Sequence, residues 1–200
     1  MNQAIINYLR TRYQPLTIAV YGSYAEGTFD DQSDFDCLVI VKDKEISHDD
    51  SMIEGILLDC FIYSEAELAQ RPIEDFLTLY DAILLEDNGS GAKLKQEVRD
   101  YVLAHQMTDP ADKNFLKSWM KKVLRRMEKG DDEAHYRAVM LLAESLEDYF
   151  TLRDQFYFGS KKAIKQLETI DPQGYALFHQ AMSLRSDGAI RSWIDHVMGI

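Results

Sequence analysis

Ile18-Ala-Val-Tyr-Gly-Ser-Tyr-Ala-Glu-Gly27, followed by Ser33-Asp-Phe-Asp-Cys-Leu-Val-Ile40, is the stretch on which the reading of this chain turns. An apolar run ends at Gly22-Ser23, and the chain must turn there. Gly22 lets backbone approach a ligand closely, and successive N–H groups at such a turn can cradle phosphate oxygens. Ser23 adds a hydroxyl donor, and Gly27 closes the turn. Asp34 and Asp36 then stand two apart at the start of a β-rich run, so strand periodicity puts both carboxylates on one face. Mg²⁺ takes hard oxygen ligands, commonly one or two carboxylates plus substrate phosphates. An anion cradle beside paired carboxylates is what chemistry on a nucleoside triphosphate requires.

A third acid fits. Asp59 interrupts the apolar run Ile56-Leu-Leu-Asp-Cys-Phe-Ile62. A lone ionised carboxylate inside a buried strand is costly unless paired or metal-bound. On a strand beside Asp36 it completes a three-carboxylate set. Two metal ions roughly 3.5–4 Å apart would then activate an acceptor hydroxyl and stabilise a leaving pyrophosphate.

Working outward, residues 2–12 read as a short helix stopped near Pro15. Leu16 to Tyr21, Phe35 to Val41, Ile56 to Tyr63 and Ala82 to Leu85 read as strands buried on both faces. Glu65 to Gln70 and Ala92 to His105 read as helices. The character changes after His105. Gln106 to Asp112 carries Thr, Asp and Pro, the composition of a linker and helix start. Helical patterns follow at 113–129, 132–157, 160–169, 173–184 and 188–198. The expectation is an α/β domain over 1–107 and an all-α helical bundle over 108–200.

Composition sets limits. The 200 residues are 46% apolar and carry a net charge of −12, from 34 acidic and 22 basic side chains. That balance argues against broad binding to nucleic acid, which needs a basic surface. It does not oppose an NTP neutralised by Mg²⁺ and local donors. The first sixteen residues lack a signal-peptide pattern, and no apolar run is long enough to span a bilayer. Cys37 and Cys60 form no metal-spacing motif and read as reduced core residues. A cytoplasmic protein without membrane attachment is expected.

Gly-Ser, a Gly four residues on, Ser-Asp-x-Asp entering a strand and Asp59 in a later strand together resemble the DNA polymerase beta-like nucleotidyltransferase superfamily. The small size and helical second half look most like the antibiotic (aminoglycoside and lincosamide) nucleotidyltransferases and their uncharacterised relatives. Asp87-Asn-Gly89 is similar to the Asp-x-x-Gly turn after that domain's last strand. The resemblance spans about residues 18–89. It implies a mixed sheet, with Gly22 and Ser23 binding the triphosphate and Asp34 and Asp36 ligating Mg²⁺. Asp59 would ligate the catalytic metal or help deprotonate the acceptor. It implies transfer of NMP, with ATP as the expected donor, to a small hydroxylated acceptor such as an antibiotic. A protein-modifying or antitoxin-type regulator and a non-catalytic NTP-binding relative stand as alternatives, and homodimer formation is left open. One position departs from the pattern. Many relatives carry a basic residue before the second Gly, where this chain has Glu26. Lys42, Lys44 or a lysine of the helical half would then have to supply the cation.

Other patterns compete. There is no G-x-x-x-x-G-K-[ST] and no G-x-G-x-x-G. Lys121, Lys122, Arg125, Arg126 and Lys129 lie mostly opposite the Trp119, Val123 and Met127 stripe. A solvated helix face explains them better than a phosphate or RNA contact. Lys161, Lys162 and Lys165 follow the aromatic run 156–158, read as a helix start packed by aromatics. Glu144, Glu147 and Asp148 share a helix, and one of them is a candidate general base. Arg191 and His196 have the Arg-x4-His spacing of HEPN ribonucleases, a short pattern common by chance. The five histidines are read as isolated and structural.

Overall fold

The computed structural model describes residues 2–199. Contacts divide the chain into two compact units, Met1–Tyr101 and Val102–Ile200. The order of elements is α1 (Gln3–Tyr13), β1 (Thr17–Val20), α2 (Gly22–Glu26), β2 (Phe35–Val41), β3 (His48–Asp49), β4 (Met52–Ile53), β5 (Ile56–Ser64) and α3 (Glu65–Leu68). A 3-10 helix (Ile73–Tyr80), β6 (Ile83–Asp87) and α4 (Ser90–His105) follow. The rest is helical: α5 (Pro110–Met127), α6 (Asp132–Leu152), α7 (Ser160–Ile170), α8 (Pro172–Leu184) and α9 (Asp187–Met198). The fold is therefore an α/β domain with a mixed sheet followed by helices.

The sheet runs β3-β5-β2-β1-β6, with β4 pairing on β5. β2 and β5 are parallel, while β1 is antiparallel to β2 and to β6. Alternation along the strands builds two cores. Phe35, Cys37, Val39, Leu58, Cys60 and Ile62 pack with Ile5 and Leu9 of α1. On the other face, Leu38 and Ile40 pack with Phe76 and Leu79 of the 3-10 helix and Leu94 and Val98 of α4. The buried Asp49 carboxylate, at the foot of β3, accepts hydrogen bonds from Tyr8, Tyr13 and the Ser51 N–H. Its charge is thereby satisfied. Cys37 and Cys60 are buried register partners, and the hydrogen bond between them, with burial, pushes the Cys37 thiol up.

The sequence patterns miss the short pieces. β3, β4 and α2 are too brief for periodicity to show, and the 3-10 helix has no 3.6-residue stripe. The β4–β5 hairpin turns on Glu54 and Gly55, both at positive φ (50° and 85°), the signature of a two-residue type I′ turn. The long helix stops at Leu152 rather than 157. Arg153 donates to the carbonyls of Tyr149, His196 and Val197, closing the C-terminal ends of both α6 and α9. The aromatic run then leaves the helix, with Lys162 Nζ 5.4 Å from the Phe158 ring centre.

In the helical unit, Trp193 is fully buried and donates to Ser145 Oγ at 2.7 Å. Leu141, Leu142, Tyr149 and Phe178 surround it in one core. Arg191 donates to the Leu124 carbonyl and to Glu128, while His196 pairs with Asp171 at 2.6 Å. The Arg-x4-His residues thus serve separate structural bonds. No helix among the described residues is long and apolar enough to cross a membrane.

Asp87 joins the sheet to α4. It accepts from Thr17 Oγ1 and from the N–H groups of Gly91 and Ala92. Gly91 packs so closely that a Cβ would sit 2.4 Å from Thr17 Cγ2. Burial opposes ionisation of Asp87, but those hydrogen bonds outweigh it and hold the carboxyl below its usual range. Asp87→Ala should cost about 1 kcal/mol at neutral pH, as loss of a helix cap does. A lowered folded-state pKa means this contribution is fully present above the unfolded value of about 4. It is lost as pH falls through the folded value. Thermal unfolding of both proteins across that range checks the convergence.

Candidate active site

Phe35 is fully buried against Tyr24, with ring centres 4.9 Å apart. Anchoring Phe35 on the α1 side of the sheet forces Asp34 and Asp36 towards the opposite side. Ser33 pins the approach. Its hydroxyl donates to Asp30 Oδ1 at 3.0 Å and accepts from the Asp30 N–H at 2.9 Å. Asp34, just before β2, is exposed, and Asp36 is half-buried.

Asp36 and Asp59 are direct register partners on parallel β2 and β5. The Asp59 expectation needs correcting in one respect. It is not deep in a strand core: its side chain is 36% exposed, on the face shared with exposed Leu57 and Phe61. It is also paired. His48 Nε2 lies 2.6 Å from Asp59 Oδ1, and the His48 ring packs on Phe61 at 4.9 Å. His48 is therefore not isolated, and sequence reading missed it because β3, which carries it across to β5, is only two residues long.

Gly22 sits against Asp36. The Tyr21 N–H donates to the Asp36 carbonyl at 3.1 Å, extending the β1–β2 ladder by one residue. Gly22 then turns at φ +63°, and a Cβ there would fall 2.1 Å from Asp36 Oδ2. Only glycine fits both the conformation and the space. Ser23 follows in the first turn of α2 and is mostly buried. Burial, then the negative charge of Asp59, and of Asp36 to a lesser degree, push the Tyr21 phenol well above its ordinary range. The glycine turn and two of the three acids are thus gathered at one end of β1, β2 and β5.

Among the described residues no group of three or more His, Cys, Asp or Glu side chains is arranged to hold a metal ion. The donor chemistry nevertheless suits Mg²⁺. The acids offer hard oxygens, Asp36 and Asp59 are neighbours, and Mg²⁺ commonly takes only one or two carboxylates with phosphate and water completing its shell.

The cation suggested for Lys42 or Lys44 is not supplied there. Both follow the far end of β2. Six residues at about 3.3 Å each put Lys42 about 20 Å from Asp36. Lys44 is committed to Glu67, which also accepts from the Ser64 N–H and hydroxyl. In the helical unit, Glu144 and Glu147 are exposed, while Asp148 is half-buried. Burial, then Glu144 and Glu147, push its pKa up to about 7.

Residues 3–101 match the family model described as nucleotidyltransferase domain. The N-terminal unit is thus similar to nucleotidyltransferase domains over nearly its whole length. The chain is also similar to a solved structure described as a nucleotidyltransferase-like protein from Exiguobacterium sibiricum 255-15. Identity is 16% and the TM-score 0.44, over 98% of this chain and 74% of that one. No curated protein matches the chain. The matched span contains the glycine turn, all three acids and His48.

Two outcomes are expected. Gly22→Ala should displace the Asp36 carboxylate and strain the turn by roughly 1–2 kcal/mol, lowering nucleotide-dependent activity more than Gly27→Ala, where a Cβ meets nothing within 4 Å. Melting temperatures and pyrophosphate release for the two variants make the comparison. In the helical unit, a folded-state pKa of about 7 for Asp148 lies above the unfolded value of about 3.9. The side chain therefore costs stability increasingly as pH rises between those values. Asp148→Asn should be more stable than wild type by about 1–2 kcal/mol near pH 8, allowing for solvent screening, and equal to it near pH 4. Denaturant unfolding at the two pH values measures the difference.

Proposed function

We propose that this protein is a Mg²⁺-dependent nucleotidyltransferase that moves NMP, expected to be AMP from ATP, onto a hydroxyl of a small molecule, an antibiotic being one such acceptor. The observation that carries the reading is the register pairing of Asp36 with Asp59, with Asp36 held against the Gly22 turn. In this reading Asp34, Asp36 and Asp59 hold the metal ions. Gly22 and Ser23 meet the triphosphate. When bound, Mg²⁺ neutralises phosphate charge and lowers the cost of charge building on the entering and leaving oxygens.

The acceptor oxygen attacks the α-phosphorus and forms the new P–O bond. The bond from that phosphorus to the bridging oxygen breaks, and pyrophosphate leaves with its electron pair. The hydroxyl proton passes to a carboxylate, Asp59 or an acid of the helical unit. His48 fixes the orientation of Asp59 through Oδ1, leaving Oδ2 available. Glu26 places no positive charge beside the turn. Charge compensation then falls to backbone N–H groups and the metal.

Asp36→Asn removes a ligand charge while preserving shape. It should lower Mg²⁺-dependent pyrophosphate release by about a hundredfold or more, since even partners outside the ligand shell are worth about 10–100-fold. Undiminished release, with circular dichroism showing a folded protein, would overturn the assignment. Labelled NTPs offered with a panel of hydroxylated antibiotics test the acceptor class separately.

A further inference from the structure

The helical unit carries a second feature that the nucleotidyltransferase reading does not use. Between α5 and α6 runs a cleft in two adjoining parts, of 400 and 440 Å³, which share Trp119, Glu133 and Arg137. Both volumes are of small-molecule size. One part is basic: Lys122, Arg125, Arg126, Lys129 and Arg137 line it with a single acid, Glu133. The other is more apolar, walled by Tyr136, Met140 and Leu141 beside Trp119, with Glu144 also lining it. Trp119 stands at the junction, 36% exposed, and Tyr136 is 67% exposed.

A solvated helix face explains exposed lysines but not this arrangement. In a chain with 34 acids and 22 bases, five cations converge on one part of this cleft, where Glu133 is the single lining acid. That acid is spent, because Arg126 and Arg137 both donate to Glu133. The pairing fixes two guanidinium groups in the cleft wall, and although Asp131 also lies 3.6 Å from Arg126, the cations still outnumber the acids in this part. Arg126 Nε is buried with no acceptor, a cost that ordinary packing avoids. Phe115, Val139 and Met140 on the same two helices are exposed large apolar side chains. Such a surface suits a ligand with a flat ring at one end and an anionic group at the other. The positive charge disfavours a polycationic molecule.

We propose that the α5–α6 cleft binds a nucleoside phosphate, its base stacked on Trp119 and its phosphate held by Lys122, Lys129 and the neighbouring arginines. Stacking on aromatic side chains accepts any base. The lysines provide charge attraction that salt should weaken. The site is independent of the acid pair on the sheet.

Fluorescence tests it, because Trp119 is exposed and the other tryptophan, Trp193, is fully buried. AMP is titrated into the full chain in EDTA, and the series is repeated with Asp36→Asn. The expected result is saturable quenching in both proteins, absent from Trp119→Phe. Adenosine, which lacks the phosphate, should bind about tenfold more weakly or worse, as loss of a charge-assisted contact implies. Lys122→Glu with Lys129→Glu should weaken AMP at least as much, and higher salt should weaken wild type. Both lysines are exposed, so circular dichroism should show the double variant folded. No quenching by AMP, equal affinity for adenosine, or unchanged binding by the double variant overturns the proposal. Tight binding of a single-stranded oligoribonucleotide without binding of AMP overturns it in favour of a polynucleotide surface. Loss of AMP quenching in Asp36→Asn would move the ligand to the sheet, whereas failure of pyrophosphate release alone leaves the cleft untouched.

Discussion

The parallel pairing of β2 with β5 fixes what every neighbouring residue does. In this register Phe35 lies beside Leu58, Asp36 beside Asp59 and Cys37 beside Cys60. Slipping one strand by a residue would turn its carboxylate into the core under α1 and bring a thiol to the open face. Each large apolar side chain buried there contributes about 1.5–3 kcal/mol. Burying an unpaired carboxylate costs several kcal/mol more. The apolar pattern and the placement of the acids therefore enforce one another, and the same alternation that builds the core brings two carboxylates together.

That closeness has consequences on β1. Tyr21 extends the ladder to Asp36, and the chain leaves the strand where no Cβ can be tolerated. Glycine at position 22 answers two demands at once, a left-handed turn and contact with a carboxylate. The Tyr21 phenol, partly buried beside both acids, is held protonated and stays a hydrogen-bond donor in a negatively charged corner. Paired acids are unfavourable neighbours unless something positive joins them, which is the physical reason to read the pair as a cation site.

Much of this was legible because long-period patterns and charged interruptions survive in sequence. β2 runs over Phe35–Val41 as its Val and Ile content implies, and Asp59 stood out for breaking an apolar run. What was illegible depended on proximity. His48 reaches Asp59 through a two-residue strand with no periodicity, and Lys42 and Lys44, only six and eight positions from Asp36, stand at the other end of the strand. Nearness in sequence becomes separation along an extended strand, about 3.3 Å per residue. The end of α6 was similarly hidden, since the arginine that caps it bonds to carbonyls more than forty residues on.

Charge is consequently organised in opposite ways in the two units. At the glycine turn the sheet offers carboxylates and backbone N–H groups, an arrangement that would hold phosphate through a shared metal ion together with those N–H groups. In the α5–α6 cleft the helices offer guanidinium and ammonium groups around a tryptophan, with the nearest acid already engaged by two arginines. A metal-bridged triphosphate suits the first, and an uncoordinated phosphate beside a ring suits the second. The net charge of −12 describes neither surface, because local charge rather than the sum over the chain decides which anion is held and where.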